Sequence, residues 1–262
     1  MDLNLSGKVA VVTGASKGIG LAITRALAAE GVSVAAGARN GSDELSELAS
    51  RSAVHPVLVD LTTPDGPARL IEEATQTFGG LNILVNNVGA GRPRLNGFLA
   101  LTDDDWDWAL TINFLAAVRA TRAALPHLLE RAPATIVTVS SVNAFLPDPA
   151  VIDYSAAKGA LTNFCKSLSK EFGPRGVRVN TVSPGPVETD LWLGDDGVAA
   201  TVARANDGHP EEVIKQAVAE TSTGRFTHPQ EVADLVLLLA SDRAGNVTGT
   251  DVLIDGGLVR TL

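Results

Sequence analysis

The chain has 262 residues, of which 45% are hydrophobic and 19% are charged, and its formal net charge at pH 7 is -9. This composition is typical of a compact globular protein. The acidic balance, without any run of lysine and arginine, argues against nucleic acids and anionic membrane surfaces as partners. A single cysteine, Cys165, excludes an internal disulfide, and the start MDLNLSGK lacks the features of a signal peptide. We therefore expect a cytoplasmic protein, and the scattered histidines predict no metal site.

Short β-branched runs alternate with longer helical patterns along the chain. Strands are predicted at 8–14, 32–38, 54–61, 81–89, 134–141, 177–185 and 250–255. Helices are predicted at 19–31, 42–51, 63–79, 102–131, 152–173 and 229–241. Alternation of this kind indicates a parallel sheet with helices on both faces, so we expect a doubly wound α/β fold in a single domain over residues 1–262.

Local signals mark the starts of several helices. Ser42 is predicted to cap the second helix, and Thr63 the third, with Pro64 in its first turn. Thr102 and Asp105 have the spacing of a capping box.

The stretch from about 186 to 228 interrupts the strand–helix alternation and contains one short helical pattern, PEEVIKQAVAE. It follows the carboxyl end of a predicted strand, which is where ligand-binding segments occur in α/β sheets. We expect it to form a substrate lid.

The turn between the first strand and the first helix reads TGASKGIG. Its glycines, Gly14, Gly18 and Gly20, form G-x-x-x-G-x-G, which differs from the best-known dinucleotide fingerprint. Glycine lets the backbone turn tightly and approach a pyrophosphate, and the helix N-terminus adds positive potential. Three glycines could form only a tight connection, but their place after the first strand favours nucleotide binding.

The end of the second predicted strand bears on the choice of nucleotide. An acidic residue there normally holds the ribose 2′-hydroxyl of NAD, whereas this chain has Arg39 in GARN. Lys17 lies in the glycine turn. Each cation alone could be a solvated surface charge, but the two together match a 2′-phosphate, which favours NADP(H). Asp60 could accept a hydrogen bond from the adenine amine or could cap a helix.

The glycine turn is the first of several motifs that follow in a definite order. The others are NNVG at 86–89, Asn113 in TINF, SS at 140–141, YSAAK at 154–158 and SPGPVET at 183–189. From about Lys8 to Gly257 the chain resembles the short-chain dehydrogenase/reductase family. The resemblance implies a seven-stranded Rossmann sheet and hydride transfer between NAD(P)(H) and a carbonyl or alcohol. By the same resemblance the catalytic residues are Asn113, Ser141, Tyr154 and Lys158.

Further site residues follow from matching these motifs. Cofactor contacts are expected from Gly14, Ser16, Lys17, Gly18, Ile19, Gly20, Arg39, Asp60, Leu61, Asn87, Val88, Gly89, Tyr154, Lys158, Pro184, Gly185, Val187 and Thr189. Thr189 resembles the family's contact to the nicotinamide carboxamide. The family's usual NNAG is NNVG here, and Val88 could crowd the adenosine side.

Tyr154 is the only tyrosine of the chain, and it stands four residues before Lys158. Positions i and i+4 share a helix face, so the phenol and the ammonium lie side by side. Lowering a phenol pKa of about 10 by about three units requires roughly 4 kcal/mol. A positive charge about 4 Å away supplies about 1 kcal/mol in water but about 4 kcal/mol at an effective dielectric near 20. Lys158 can therefore tune Tyr154 as a general acid only in a cleft shielded from water.

The other two catalytic candidates each have a structural alternative. Ser141 ends a predicted strand, so its hydroxyl can point into the cleft, although it could be a plain turn serine. Asn113 lies in a helical pattern, where asparagine is unfavourable. Its side chain or a distorted backbone could hold a water that relays protons to Lys158, and the alternative is a buried structural asparagine.

Candidate substrate contacts surround these residues. They are Ser141, Asn143, Phe145, Leu146, the loop 91–98, Trp192, Leu193 and Val198. Their mostly apolar character suggests a medium-sized apolar ketone, although the same residues could pack the lid. Arg92 and Arg94 could meet an anionic substrate, but solvated loop charges are the simpler interpretation.

The sequence leaves two alternative functions open and also predicts an oligomer. One alternative is reduction of a 3-oxoacyl thioester on coenzyme A or a carrier protein, which the acidic balance mildly disfavours for an acidic carrier. The other is a catalytically silent NADP(H)-binding regulator. In the family the helices that match 102–131 and 152–173 pack between subunits, so we expect a homo-dimer or homo-tetramer.

Overall fold

The computed structural model describes residues 2–261, and within this range seven strands form one sheet. The strands are β1 Val9–Thr13, β2 Ser33–Ala38, β3 Val54–Leu58, β4 Ile83–Asn86, β5 Ala134–Val139, β6 Val177–Pro184 and β7 Asp251–Ile254. All neighbours are parallel, in the order β3-β2-β1-β4-β5-β6-β7. The predicted doubly wound Rossmann sheet is confirmed. The strand order reverses between β1 and β4, and open α/β sheets bind ligands at such a switch point.

Helices cover both faces of this sheet. They are α1 Gly18–Ala29, α2 Asp43–Arg51, α3 Gly66–Phe78, α4 Asp103–Leu110, α5 Ala116–Glu130, α6 Ile152–Phe172, α7 Asp190–Leu193, α8 Val198–Ala205, α9 Pro210–Ala219 and α10 Pro229–Ala240. Apolar residues of α1, α2 and α10 form one core cluster, represented by Leu27, Leu45 and Val236. Residues of α3, α5 and α6 form the other, represented by Leu70 and Leu128. Coverage on both faces explains why the central strands are apolar throughout rather than alternating.

Two of the predicted helix caps are confirmed. The Ser42 hydroxyl accepts a hydrogen bond from Leu45 N at 3.1 Å. Thr102 and Asp105 form a reciprocal capping box, with Thr102 N donating to the Asp105 carboxylate at 3.0 Å. These caps satisfy backbone N–H groups that a helix leaves unpaired at its start.

The predicted start of α3 at Thr63, with Pro64 in the first turn, is wrong. The helix begins at Gly66, although the Thr63 hydroxyl still accepts a hydrogen bond from Gly66 N at 3.0 Å. Residues 60–66 first form a tight turn. A Cβ on Gly66 would lie only 2.0 Å from the Asp60 carbonyl oxygen. This turn delays the helix.

The long helix predicted at 102–131 is interrupted. A π-helical segment, Thr111–Leu115, separates α4 from α5. Asn113 lies at the centre of this segment. A π-helical turn is wider than an α-turn and often accompanies a functional site, so the interruption directs attention to this position.

The segment 186–228 contains three short helices, α7, α8 and α9, rather than the single helical piece predicted there. Its two ends are fastened together. Val187 and Thr227 form a parallel bridge, and Glu188 N donates to the Thr227 carbonyl at 2.9 Å. The His228 Nδ1 and Glu188 Oε2 atoms lie 2.6 Å apart. The two ends of the segment therefore lie side by side.

Two kinds of feature are absent from residues 2–261. No helix in that range is both long enough and apolar enough to cross a membrane. The same residues contain no cluster of three or more His, Cys, Asp or Glu side chains arranged to hold a metal ion.

Candidate active site

The loops that follow β1, β4, β5 and β6 meet at the carboxyl edge of the sheet. Asn87, after β4, donates from Nδ2 to the Gly14 carbonyl in the glycine turn at 3.1 Å. A Cβ on Gly18 would lie 3.2 Å from Thr189 Cγ2, after β6. These contacts make one cleft of segments that are far apart in the sequence.

The glycine turn presents an uncapped helix start to this cleft. Lys17 occupies the N-cap of α1 without a side-chain cap, and the first turn contains no acidic residue. Gly14 has a φ of +68°, and a Cβ on Gly20 would lie 2.1 Å from the Gly14 carbonyl oxygen. The turn is thus tightly closed, and its N–H groups and positive helix end suit the diphosphate of a dinucleotide.

The charged residues predicted at the adenosine side are mostly exposed. Lys17 forms an ion pair with Asp190 at 3.2 Å, and no pattern in the sequence indicates this pairing. The Asp60 carboxylate accepts hydrogen bonds from Thr62 N at 2.9 Å and the Thr62 hydroxyl at 2.7 Å. These bonds, together with the charge of Arg39, hold the pKa of Asp60 below its usual value. Arg39 and Asp60 therefore lie near each other at the ends of β2 and β3.

Several predicted cofactor residues reach the site only through their backbone. The side chains of four of them pack against the two core clusters: Ile19, Leu61, Val88 and Val187. The Ser16 carbonyl accepts a hydrogen bond from the Ser42 hydroxyl at 2.7 Å, so α2 also supports the glycine turn. Val88 also borders the glycine turn, since a Cβ on Gly14 would lie 3.3 Å from Val88 Cβ.

The loop after β6 is hydrogen-bonded to β7 and borders the glycine turn. Pro184 is buried at the end of β6, and Gly185 N donates to the Ile254 carbonyl at 3.0 Å. Thr189 occupies the N-cap position of α7 and makes no side-chain capping bond to that helix. Its hydroxyl lies 3.4 Å from the Val187 carbonyl.

Tyr154 and Lys158 lie on the same face of α6, as their spacing predicts. The Lys158 side chain is buried, and its Nζ lies 5.6 Å from the centroid of the Tyr154 ring. Nζ donates a hydrogen bond to the Val139 carbonyl at 3.0 Å. A Cβ on Gly89 would lie 3.4 Å from the same Nζ, so the ammonium also borders the loop after β4.

Burial shifts the pKa values of this pair in opposite directions. It lowers the pKa of Lys158 to about 8. It raises the pKa of the Tyr154 phenol, and the Ser141 hydroxyl opposes that rise. This differs from the expected lowering of the phenol pKa by Lys158, because burial disfavours the phenolate and the ammonium is engaged by the Val139 carbonyl.

Ser141 lies beyond the strand rather than at its end, which corrects the predicted boundary. β5 ends at Val139, and Ser141 caps a short 3-10 turn. Its hydroxyl accepts a hydrogen bond from Asn143 N at 3.2 Å and donates to Asn143 Oδ1 at 3.1 Å. Asn143 Nδ2 in turn lies 3.5 Å from the Ser155 hydroxyl. Ser141 and Asn143 are therefore one unit beside α6.

Asn113 links the π-helical segment to the loop after β4. Its Oδ1 accepts from Ala90 N at 3.0 Å, and its Nδ2 donates to the Ala90 carbonyl at 2.8 Å and the Ala109 carbonyl at 3.0 Å. Both amide donors are thus used, as in the structural alternative for this residue. A water relay at this position would depend on backbone carbonyl groups in the wider π-helical turn.

The loop 91–98 contains a buried ion pair that sequence reasoning missed. Arg94 donates to Asp153 from Nε at 3.0 Å and to Asp105 from Nη1 at 2.7 Å. The interpretation of Arg94 as a solvated loop charge is wrong, because its side chain is 11% exposed and that of Asp153 only 1%. The signal in the sequence was an acidic residue directly before Tyr154 in a mostly apolar segment. Arg92 instead lies over the Trp108 ring at 3.8 Å.

The predicted substrate contacts divide into two groups. Phe145, Leu146 and Leu193 are exposed large apolar residues on the segments after β5 and β6. Trp192 packs edge-on against Phe226 with ring centroids 5.2 Å apart, so at least part of its role is packing within the segment 186–228.

Comparisons with known proteins extend over nearly the whole chain. A family model described as Enoyl-(Acyl carrier protein) reductase matches residues 14–259. The 3-oxoacyl-[acyl-carrier-protein] reductase of Thermotoga maritima is 33% identical over 261 residues, covering 98% of this chain and 100% of that protein. Oxidoreductase UcpA of Escherichia coli is 35% identical over 260 residues, covering 97% and 95%. L-sorbose reductase from Gluconobacter frateurii, solved with NADPH and L-sorbose, has a TM-score of 0.91 and 34% identity, with both chains covered completely.

A parallel sheet with a glycine turn and a tyrosine–lysine pair at its carboxyl edge defines a class of dinucleotide-dependent oxidoreductases. Together with these matches, it shows that the chain belongs to the short-chain dehydrogenase/reductase family.

Proposed function

We propose that the protein is an NADP(H)-dependent oxidoreductase that interconverts a carbonyl compound and its secondary alcohol, with Tyr154 as general acid and base. The observation that carries this proposal is the buried Lys158, whose Nζ lies 5.6 Å from the Tyr154 ring at the edge where the glycine turn opens. A buried ammonium beside a phenol is costly for the fold, and such groups occur chiefly at functional sites.

The residues around the cleft fit NADP(H). The uncapped start of α1 would hold the diphosphate. Arg39 would hold the 2′-phosphate together with Lys17, which would leave its exposed ion pair with Asp190. Asp60 has one carboxylate oxygen outside its bonds to Thr62, which would accept from the adenine amine. When bound, the nicotinamide supplies or accepts the hydride. The NADPH in the related L-sorbose reductase supports this assignment.

Residues of the chain itself would donate and accept the proton. Because burial raises the pKa of Tyr154, the phenol is protonated at neutral pH and can donate to the carbonyl oxygen of a substrate. The Ser141 hydroxyl would turn from Asn143 Oδ1 and hold that oxygen by a hydrogen bond. Lys158, with a pKa of about 8, would stabilise the phenolate and help return the proton. Asn113 would act by fixing Ala90, and through it the loop that borders Lys158.

We propose a medium-sized apolar ketone or its alcohol as the substrate. The exposed Phe145, Leu146 and Leu193 beside the cleft support an apolar ligand, and the segment 186–228 would close over it as a lid. The similarity to 3-oxoacyl-[acyl-carrier-protein] reductases favours a second candidate, a 3-oxoacyl thioester. The presence of Ser141, Tyr154 and Lys158 argues against a catalytically silent regulator.

We also propose that the enzyme works in the cytoplasm as a homo-dimer or homo-tetramer. The single cysteine of the chain is compatible with a reducing compartment. Light scattering of the purified protein tests the oligomer, and a monomer would contradict it.

The first test is to titrate the purified protein with NADPH and with NADH, following the fluorescence of its tryptophans. We expect at least about tenfold tighter binding of NADPH, because two cations flank the proposed 2′-phosphate position. Turnover of simple apolar ketones, L-sorbose and acetoacetyl thioesters is then compared. Equal binding of the two cofactors contradicts the NADP(H) preference alone, and absence of binding contradicts the enzymatic proposal.

A further inference from the structure

Arg94 lies outside the proposed catalytic group, yet it contacts three separate parts of the cleft wall. We propose that Arg94 is a positioning residue, which sets the orientation of Tyr154 through an ion pair with Asp153. This inference rests on the proposed function, because it gives Arg94 a role through Tyr154.

The first link is the ion pair itself. Arg94 Nε and Nη2 both donate to Asp153 Oδ2, at 3.0 Å and 2.5 Å. Only 11% of the Arg94 side chain and 1% of the Asp153 side chain are exposed. Solvent screening is weak at such a site, and loss of one partner leaves an uncompensated buried charge. The pair is therefore far more constrained than an ion pair on the surface.

The second link joins Asp153 to Tyr154. The other carboxylate oxygen, Asp153 Oδ1, accepts a hydrogen bond from Tyr154 N at 2.9 Å. This N–H belongs to the first turn of α6, where a helix has no internal partner for it. Arg94 N also donates to the Ala150 carbonyl, just before α6, at 2.6 Å. Arg94 thus fastens the start of α6 through both its backbone and its side chain.

The third link is the wall against the tyrosine ring. A Cβ on Gly91 would lie 3.6 Å from Tyr154 Cδ2, so the backbone there is within one methyl group of the ring. Arg94 Nη1 ties the same loop to Asp105, which belongs to the capping box of α4. Arg94 therefore fixes both the backbone that carries Tyr154 and the loop that borders its ring. Small displacements of a proton donor reduce turnover more than they reduce binding.

The test uses three variants of the buried pair: Arg94→Met, Asp153→Asn and the double variant that combines them. They are compared with a control, Arg51→Met. Arg51 forms an exposed ion pair with Glu47 on α2 and serves as the control for loss of an arginine. We expect each single change at the buried pair to lower kcat at least about tenfold and to leave the Kd of NADPH within about twofold. The double variant should be no slower than the slower single variant, because each change already breaks the ion pair between Arg94 and Asp153. Independent, multiplying losses would overturn the proposal.

A second readout needs no substrate. Since the chain has one tyrosine, ultraviolet absorption of the phenolate during a pH titration reports Tyr154 alone. We expect the apparent pKa of Tyr154 to rise in Arg94→Met, where Asp153 is left uncompensated, and to fall in Asp153→Asn, with no change in Arg51→Met. If Tyr154→Phe retains turnover, the proposed function fails, whereas this titration still decides whether Arg94 controls Tyr154.

Folding is checked for each variant by circular dichroism and thermal unfolding. If Arg94→Met does not fold, the double variant replaces it, since it contains no uncompensated buried charge. A folded double variant with at least about tenfold lower kcat supports the proposal. Wild-type kcat in a folded double variant, or unchanged Tyr154 titration in a folded single variant, overturns it.

Discussion

The two sides of the cleft place positive charge in opposite environments. On the side of α6, Lys158 is 3% exposed and Arg94 is 11% exposed, and protein groups hold both. On the side of the glycine turn, the Lys17 side chain is 73% exposed, and Arg39 is exposed as well. A buried charge acts strongly on its neighbours, whereas water and salt screen an exposed one. The buried side is therefore suited to chemistry and the exposed side to choosing between cofactors.

The largest expected effect is on the buried side. Tyr154→Phe should lower kcat about 1,000-fold, since general acid catalysis is removed, and should leave the Kd of NADPH nearly unchanged. Steady-state kinetics and fluorescence titration measure the two quantities. Substantial turnover by this variant would show that the buried side does not carry the chemistry.

Lys158→Met tests what the buried charge costs the fold. A pKa lowered from 10.5 to about 8 means that the unfolded chain binds more protons than the folded chain between these pH values. The free energy of unfolding of the wild type therefore rises with pH through that window. Below it, the buried charge of Lys158 destabilises the fold by its full amount, about 3 kcal/mol. Lys158→Met should be more stable than wild type at pH 7, and the difference should shrink above pH 8. Urea unfolding at several pH values measures it, and a difference independent of pH would contradict the assignment.

The backbone of the exposed side can be tested apart from its charges. In Gly20→Ala the new Cβ would lie 2.1 Å from the Gly14 carbonyl oxygen, so the turn must shift. We expect NADPH binding to weaken about 30-fold, from about 2 kcal/mol of strain. Gly41→Ala is the matched control, because no heavy atom lies within 4 Å of a Cβ there. Equal binding by the two variants would contradict a tight cofactor turn.

The smallest expected effect concerns an exposed charge. Arg39→Asp should weaken NADPH binding about tenfold and should strengthen NADH binding, because an acid at this position can hold the ribose 2′-hydroxyl. Arg51→Asp makes the same charge change elsewhere on the surface. The loss should be smaller at high salt. A change in kcat larger than the change in cofactor affinity would contradict the division between the two sides.

The sheet and the tyrosine–lysine pair could be predicted because their signals are local. Alternating patterns give a parallel sheet, and a spacing of four residues places Tyr154 beside Lys158. The pKa of Tyr154 was harder to predict, since it depends on how deeply the fold buries the phenol. Proximity to a cation is visible in the sequence, whereas burial is a property of the whole structure.

The missed features depend on contacts between distant parts of the chain. Arg94 and Asp153 are 59 residues apart, and Lys17 and Asp190 are 173 residues apart. No residue near Arg94 or Lys17 in the sequence indicates the acidic partner of either cation. The π-helical segment also depends on a distant contact, because Asn113 is hydrogen-bonded to Ala90 in the loop after β4. Local propensity alone predicts one continuous helix.

The buried thiol of Cys165 provides a way to observe α6 without any cofactor. Its Sγ lies 3.4 Å from the Thr138 hydroxyl, beneath the helix, and burial raises its pKa to about 11. Because the thiol is buried and its pKa is raised, we expect it to react slowly with a thiol reagent while α6 stays packed on the sheet. Since Tyr154 and Lys158 belong to the same helix, the labelling rate of this single cysteine measures how often the proposed catalytic helix opens. An enzyme with such a reporter can be followed in its resting state, before any substrate has been identified.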